Sequence, residues 1–114
     1  MAGESSLDER YASLRRRFAA RAVEQAARIV ELRQLIAAGR GGPESVQEMQ
    51  RLAHSLHGSA GTFGYAPIGC AAGIVEELCA MMIRVFEADA PPPDEFDQAV
   101  AKLLGLIERI ETSP

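Results

Sequence analysis

The sequence predicts an all-α protein, an antiparallel four-helix bundle with a short additional N-terminal helix. Three observations carry that reading. Ala, Leu, Arg and Glu dominate while β-branched residues are sparse, which favours helix over strand. Apolar residues recur at helical intervals along the whole chain, and no period-2 stretch stands out. Breaks rich in Gly and Pro cut the pattern into segments joined by short connections, which favours antiparallel neighbours. A length of 114 residues suits one core and a single domain over 1–114.

A short first helix is expected over about 6–19. Ser6-Leu-Asp-Glu9 has capping-box spacing, and Leu7, Tyr11, Leu14 and Phe18 follow at helical intervals. The stripe changes phase near Arg21, so a bend should lead into a second helix over about 20–38. That helix turns Val23, Ala26, Ile29, Val30, Leu32, Leu35 and Ile36 inward. Gly39-Arg-Gly-Gly-Pro43 is the clearest break, with Gly suited to a helix end and Pro to the next first turn. The third helix, about 43–61, places Val46, Met49, Ala53, Leu56 and Ala60 inward, and Gly61-Thr-Phe-Gly64 forms a small-residue corner. The fourth, about 66–89, carries Ile68, Ala71, Ala72, Val75, Leu78, Met82, Val85 and Phe86 inward. Ala90-Pro-Pro-Pro93 ends it, because consecutive prolines cannot continue a helix. The last, about 94–111, aligns Phe96, Val100, Leu103, Ile107 and Ile110.

Composition bounds the function. Hydrophobic residues make up 47% and charged residues 25%, which excludes disorder over most of the chain. No apolar run is expected to reach the roughly 18 to 20 residues of a membrane span. The N-terminus has neither a basic start nor an apolar stretch like that of a signal peptide, so a cytoplasmic location is expected. The net charge of −4 argues against nucleic acid as the main partner. Residues 1–40 hold eight Arg against five acids, whereas 41–114 hold four basic residues against eleven acids. Cys70 and Cys79 would lie about 13.5 Å apart along one helix, too far to bridge. They read as small buried hydrophobes of a reducing compartment.

The chemistry gathers in Leu52-Ala-His-Ser-Leu-His-Gly-Ser-Ala-Gly-Thr-Phe-Gly64. With Ala53, Leu56 and Ala60 inward, Gln50, His54, His57, Gly58 and Gly61 fall on the outward face. An exposed helical glycine costs about 0.5 to 1 kcal/mol relative to Ala. A strip of them beside a projecting imidazole makes sense if another surface must come close. His54 has three readings: a solvent-facing residue of no consequence, a metal ligand with His57, or a nucleophile. A metal lacks further ligands, since positions 50, 51 and 53 are Gln, Arg and Ala and the Glu-x-x-His of di-iron bundles is missing. A neutral imidazole offers one nitrogen lone pair near pH 7 and can accept a phosphoryl group.

Ala53-His-Ser-Leu-His-Gly-Ser-Ala-Gly-Thr-Phe-Gly64 resembles the signature of histidine-containing phosphotransfer (HPt) domains, usually Ala-His-x-Leu-Lys-Gly followed by small residues and a further Gly. It is also similar to the phosphotransfer domain at the head of chemotaxis histidine kinases. The resemblance implies that His54 carries the phosphoryl group, through Nε2 as in the family. It places Gly58 on the glycine that admits a response-regulator receiver domain, and Gly64 on the glycine of the turn. Gly61 would widen the cleared strip. Gln50 would either bond a phosphoryl oxygen or simply be solvated.

One position departs from the family pattern, because His57 stands where Lys is usual. Histidine ordinarily titrates near pH ~6.5. It would stabilise phosphate through hydrogen bonding or partial charge, giving a weaker or more pH-dependent phosphohistidine.

The implied partners are a receiver domain and a sensor or hybrid histidine kinase, with no nucleic acid and no membrane. The chain would bind no cofactor, and the receiver would bring Mg2+ and the aspartate. It would be a monomer and a phosphoryl carrier without turnover of its own. Arg15, Arg16, Arg17 and Arg21 either flank the docking surface and steer an acidic receiver or form a solvated face. Glu76, Glu77, Glu87 and Asp89 read as a solvated face.

Three rivals stand beside this reading. A dimerising kinase core would normally have an acid after its histidine, where this chain has Ser55, and an ATP domain that 114 residues cannot hold. An enzyme is poorly served by a histidine without an orienting acid or a cleft. A degenerate HPt-like adaptor, binding partners without carrying phosphate, is the alternative.

Overall fold

The computed structural model describes residues 2–85 and 91–112, and the side chains of 6–85 and 91–110. Four helices form an all-α bundle with no strand among these residues: α1 (Ala2–Ala37), α2 (Gly42–Ala60), α3 (Ala66–Arg84) and α4 (Asp94–Thr112). A 3-10 turn, Gly61–Phe63, joins α2 to α3. The expected inward positions of α2 are all buried, as are Phe96, Val100, Leu103 and Ile107 of α4. Ile29 and Leu32 from α1 and Val75 and Cys79 from α3 complete the sealed centre.

The expected pair of N-terminal helices is a single helix of 36 residues. Ser6–Glu9 lies inside it and does not start it. Phe18, Ala22, Ile29, Leu32 and Ile36 face the core, so Ala22 takes the inward place that the sequence suggested for Val23. Phe18 to Val23 would be a five-residue step out of helical phase, whereas Phe18 to Ala22 is the ordinary four-residue step of one continuous helix, so the expected phase change near Arg21 is absent. Ala19-Ala-Arg-Ala22 contains nothing that would break the helix. Val30 and Leu35, expected inward, are exposed.

At 1.5 Å per residue α1 runs about 54 Å, against about 28 Å for each of the other three helices. It therefore overhangs the bundle, and the molecule measures 61 × 25 × 19 Å. Leu7, Tyr11 and Leu14 lie toward the N-terminal end of α1 and are exposed.

The helix ends follow their punctuation. Gly39 takes a left-handed φ of 70°, and the Arg40 N–H donates to Leu35 O at 2.9 Å, closing α1 in a Schellman turn. Pro43 occupies the first turn of α2. Bidentate pairs tie α1 to its neighbours: Arg28 to Glu48 of α2 at 2.6 and 2.8 Å, and Arg33 to Asp97 of α4 at 2.7 and 2.9 Å. The guanidinium bonds hold both Glu48 and Asp97 below the usual carboxylate range.

Helix α3 differs from expectation in several respects. An 18-residue window of its 19 residues has a mean hydropathy of 1.6, so by length and composition it is apolar enough to cross a membrane. In the bundle its apolar side packs into the core, and it carries Glu76 and Glu77. Cys70 is exposed, whereas Cys79 is buried and its thiol is pushed up to about 12, chiefly by burial. Cys70 lies one position off the buried pair Ala71 and Ala72, which explains the difference. Val85, expected inward, is exposed beyond the end of α3. The expectations for Phe86, Glu87 and Asp89 fall outside the described residues.

Leu103, fully enclosed on α4, gives a test of this core remote from the histidines. Leu103→Ala should destabilise the protein by about 2–5 kcal/mol, read as a lower urea midpoint with an unchanged slope.

Candidate functional site

Helices α2 and α3 share the largest interface of any helix pair, and small residues make it close. At Gly69 an added Cβ would lie 3.5 Å from Ala60 Cβ and 3.7 Å from the His57 carbonyl oxygen. The two backbones therefore meet with almost no side chain between them. Gly69, Gly73 and Glu76 follow at four- and three-residue steps, so they share the edge of α3 that faces α2. His54 and His57 share the facing edge of α2 by the same spacing.

One carboxylate holds both imidazoles. His54 Nδ1–H donates to Glu76 Oε2 at 2.6 Å, and His57 Nδ1–H donates to Glu76 Oε1 at 3.0 Å. An ionised carboxylate only accepts, so each ring must carry its proton on Nδ1. A neutral ring then keeps its lone pair on Nε2. The His57 bond is the main cause that holds the Glu76 carboxyl below its usual value, with the His54 bond adding to it and partial burial opposing. The side chain of His54 is 74% exposed, that of His57 55% and that of Glu76 23%. The result is a projecting imidazole with a shielded anion beneath it.

Glu76, expected on a solvated face, is instead half-buried between α2 and α3 and is the acid that orients His54, where none was expected. Glu76 lies 22 residues from His54, and only the close approach of α2 and α3 brings them together. The signal available was the strip Gly69-x-x-x-Gly73-x-x-Glu76, small residues leading to an acid along one helix edge.

The remaining candidates divide. Gly58 and Gly61 are exposed, and a Cβ built at either meets nothing within 4 Å, so no internal contact demands glycine there. Gln50 is half-buried one turn before His54. Gly64 serves the corner itself, with a left-handed φ of 84°, and Tyr65 N–H closes the turn on Ala60 O at 2.8 Å.

Arg15 braces the same corner. Its Nε donates to Phe63 O at 2.9 Å and its guanidinium lies 4.8 Å from the centre of the Tyr65 ring. Phe18 stacks on both Phe63 and Tyr65 beneath it, and Tyr11 OH donates to Thr62 O at 3.0 Å. Arg15 and Arg16 both line a groove with Leu106 and Ile110 of α4. Arg17 and Arg21 are exposed. The antiparallel register set by Arg28 and Glu48 puts Arg21 level with Ser55 and Arg17 level with Ser59 on α2. The four arginines are thus not one patch: Arg15 is held at the corner, whereas Arg17 and Arg21 are exposed along α1.

A cavity of about 240 Å³ between Ile36, Val46, Leu78 and Met82 lies at the opposite end of the bundle and has no part in this arrangement. Among the described residues no group of three or more His, Cys, Asp or Glu side chains is placed to hold a metal ion.

A family model described as the Hpt domain matches residues 5–113, nearly the whole chain. The chain belongs to the Hpt domain family, whose members are phosphocarrier modules of phosphorelays that interact with receiver domains and histidine kinases. Comparison with curated proteins and with solved structures returned no match.

The lowered Glu76 gives a pH test with a definite sign. A carboxyl depressed on folding contributes stability that is present above its unfolded value near 4.5 and is lost as pH falls through the lower folded value. The difference in melting temperature between the wild type and Glu76→Gln should hold near neutrality and close as pH drops below about 4.5.

Proposed function

We propose that this chain accepts a phosphoryl group on Nε2 of His54 and exchanges it with the aspartate of a response-regulator receiver domain. The observation that carries this reading is the Glu76 fork, which fixes the Nδ1–H tautomer and leaves His54 Nε2 on the more exposed of the two rings. As Nε2 attacks the aspartyl phosphate, the N–P bond forms and the P–O bond to the aspartate breaks, releasing a carboxylate. The His54 ring keeps its Nδ1 proton and gains positive charge, which the Glu76 carboxylate at 2.6 Å stabilises. Positioning and charge neutralisation are what phosphoryl transfer chiefly requires.

The rest of the surface supports a carrier and not an independent catalyst. Gly58 and Gly61 leave the approach to His54 bare although nothing inside the protein requires it. The exposed Arg17 and Arg21 of α1 would add long-range attraction for an acidic receiver. Mg2+ belongs to the receiver in this scheme, since the acid nearest His54 is engaged by two imidazoles. A sensor or hybrid histidine kinase is the other partner. The protein works in the cytoplasm as a monomer and binds no cofactor of its own.

The test is transfer of label from phosphorylated receiver domains of the same cell. Wild type should take up acid-labile, alkali-stable phosphate and His54→Gln none; label on the variant, or none on a folded wild type, would favour a partner-binding adaptor. Gly58→Ala should raise stability by about 0.5 to 1 kcal/mol, the helical preference for Ala, while slowing transfer from the receiver. Equal transfer by that variant would show that the bare strip is not an approach path.

A further inference from the structure

Gly73 sits within α3 without a left-handed φ, so its backbone geometry does not call for glycine. Its surroundings do. A Cβ built there would lie 3.3 Å from His57 Nε2 and 3.4 Å from both Cδ2 and Cε1, and these three ring atoms are its nearest neighbours. At Gly69, one turn earlier, the neighbours are Ala60 and the α2 backbone. The two glycines therefore do different work. Gly69 lets the helices meet, and Gly73 makes room for one imidazole.

We propose that Gly73 is a positioning residue for phosphoryl transfer: it seats the His57 ring against α3, so that His57 holds Glu76 and Glu76 holds His54. This rests on the reading of His54 as the acceptor. The His57 ring, open to solvent on its outer side, rests on the bare backbone at Gly73 and on the carboxylate one turn further along the same helix. A methyl group at 73 would push the ring outward by a few tenths of an ångström, away from Glu76. The bond that must yield is Nδ1–H to Oε1, already 3.0 Å, while the His54 bond is 2.6 Å. Glu76 would lose the contact that restrains its second oxygen, and the carboxylate would be free to rotate beneath His54. His57 thus acts through Glu76, from below the ring of His54. A lysine at position 57 would not need this seat.

The experiment reads ring-nitrogen NMR at pH 8 alongside labelling by phosphoramidate, a small donor that requires no docked receiver. In that reaction His54 Nε2 bonds to phosphorus as the donor's P–N bond breaks and ammonia leaves. Wild type, Gly73→Ala, His57→Lys and the double variant are compared. Gly73→Ala should lower the Nδ1–H share of His57 and, in part, of His54. It should slow labelling about three- to tenfold, the scale of one ordinary hydrogen bond, while its melting temperature stays level or rises. In the His57→Lys background the same change should cost several-fold less.

Unchanged tautomers in Gly73→Ala, or equal slowing in both backgrounds, would overturn the proposal. A wild type that takes no label at His54 would instead overturn the carrier reading. The ring-nitrogen spectra would still decide whether Gly73 seats His57.

Discussion

The site depends on how closely α2 and α3 approach. A glutamate side chain is short, and Glu76 must reach two rings on a neighbouring helix with one carboxylate. It does so because Gly69 lies against Ala60 and the backbone of α2, with only methyl groups and peptide atoms between. Glycines inside a helix are unfavourable on their own account. Here the interface they permit buries Ala53, Leu56, Ala71, Ala72 and Val75, and that burial offsets the helical penalty. The packing that stabilises this half of the bundle is thus the packing that assembles the functional group.

Electrostatics follow from the same geometry. Two exposed imidazoles alone would exchange tautomers freely in water, and their lone pairs would be available on either nitrogen. A shared carboxylate removes that freedom, because only Nδ1–H can satisfy it. The partial shielding of Glu76 beneath the rings limits solvent screening, so the anion acts on His54 at short range. The His54 ring, the more exposed of the two, keeps the access that a group-transfer partner would need. An anion below and a cleared surface above is a coherent arrangement for a nucleophile that becomes cationic as it reacts.

Much of the fold was legible in the sequence, and the errors have physical reasons. Helices α2 and α4 were placed to within a residue or two because Pro43, Gly61 and the prolines before Asp94 mark their ends. The inward faces of both were correct because a single core-facing stripe runs along each. In the N-terminal region the larger Val23 outweighs its neighbour Ala22 in the sequence pattern, although Ala22 is the residue that keeps the stripe in phase and lies fully buried. Length relative to neighbours was also invisible: Leu7, Tyr11 and Leu14 have the spacing of a core, but α1 outruns the bundle at that end. At the site, His54, His57 and the bare strip of Gly58 and Gly61 could be read from local spacing alone. Glu76 could not be reached in that way, since its role depends on the register of another helix. Arg15 shows the same limit from the other side. It reads as one member of a basic run, yet its guanidinium is tied to Phe63 and Tyr65 at the corner.

That corner gives the overhang of α1 a structural purpose. The α2–α3 connection is a 3-10 turn closed by a left-handed glycine, and it directly follows the helix that carries His54. Left alone, such a turn would let the end of α2 fray, and with it the last two turns that hold His57, Gly58 and Gly61. Tyr11 and Arg15 reach across from α1 to bond two successive carbonyls of the turn, Thr62 and Phe63, while Phe18 stacks beneath. The long first helix therefore acts as a splint. Its basic character serves the same end, because a guanidinium can satisfy a carbonyl and cover an aromatic face at once. The charge asymmetry along the chain is in this respect partly an architectural requirement of the site. Of the remainder, Arg17 and Arg21 stay exposed.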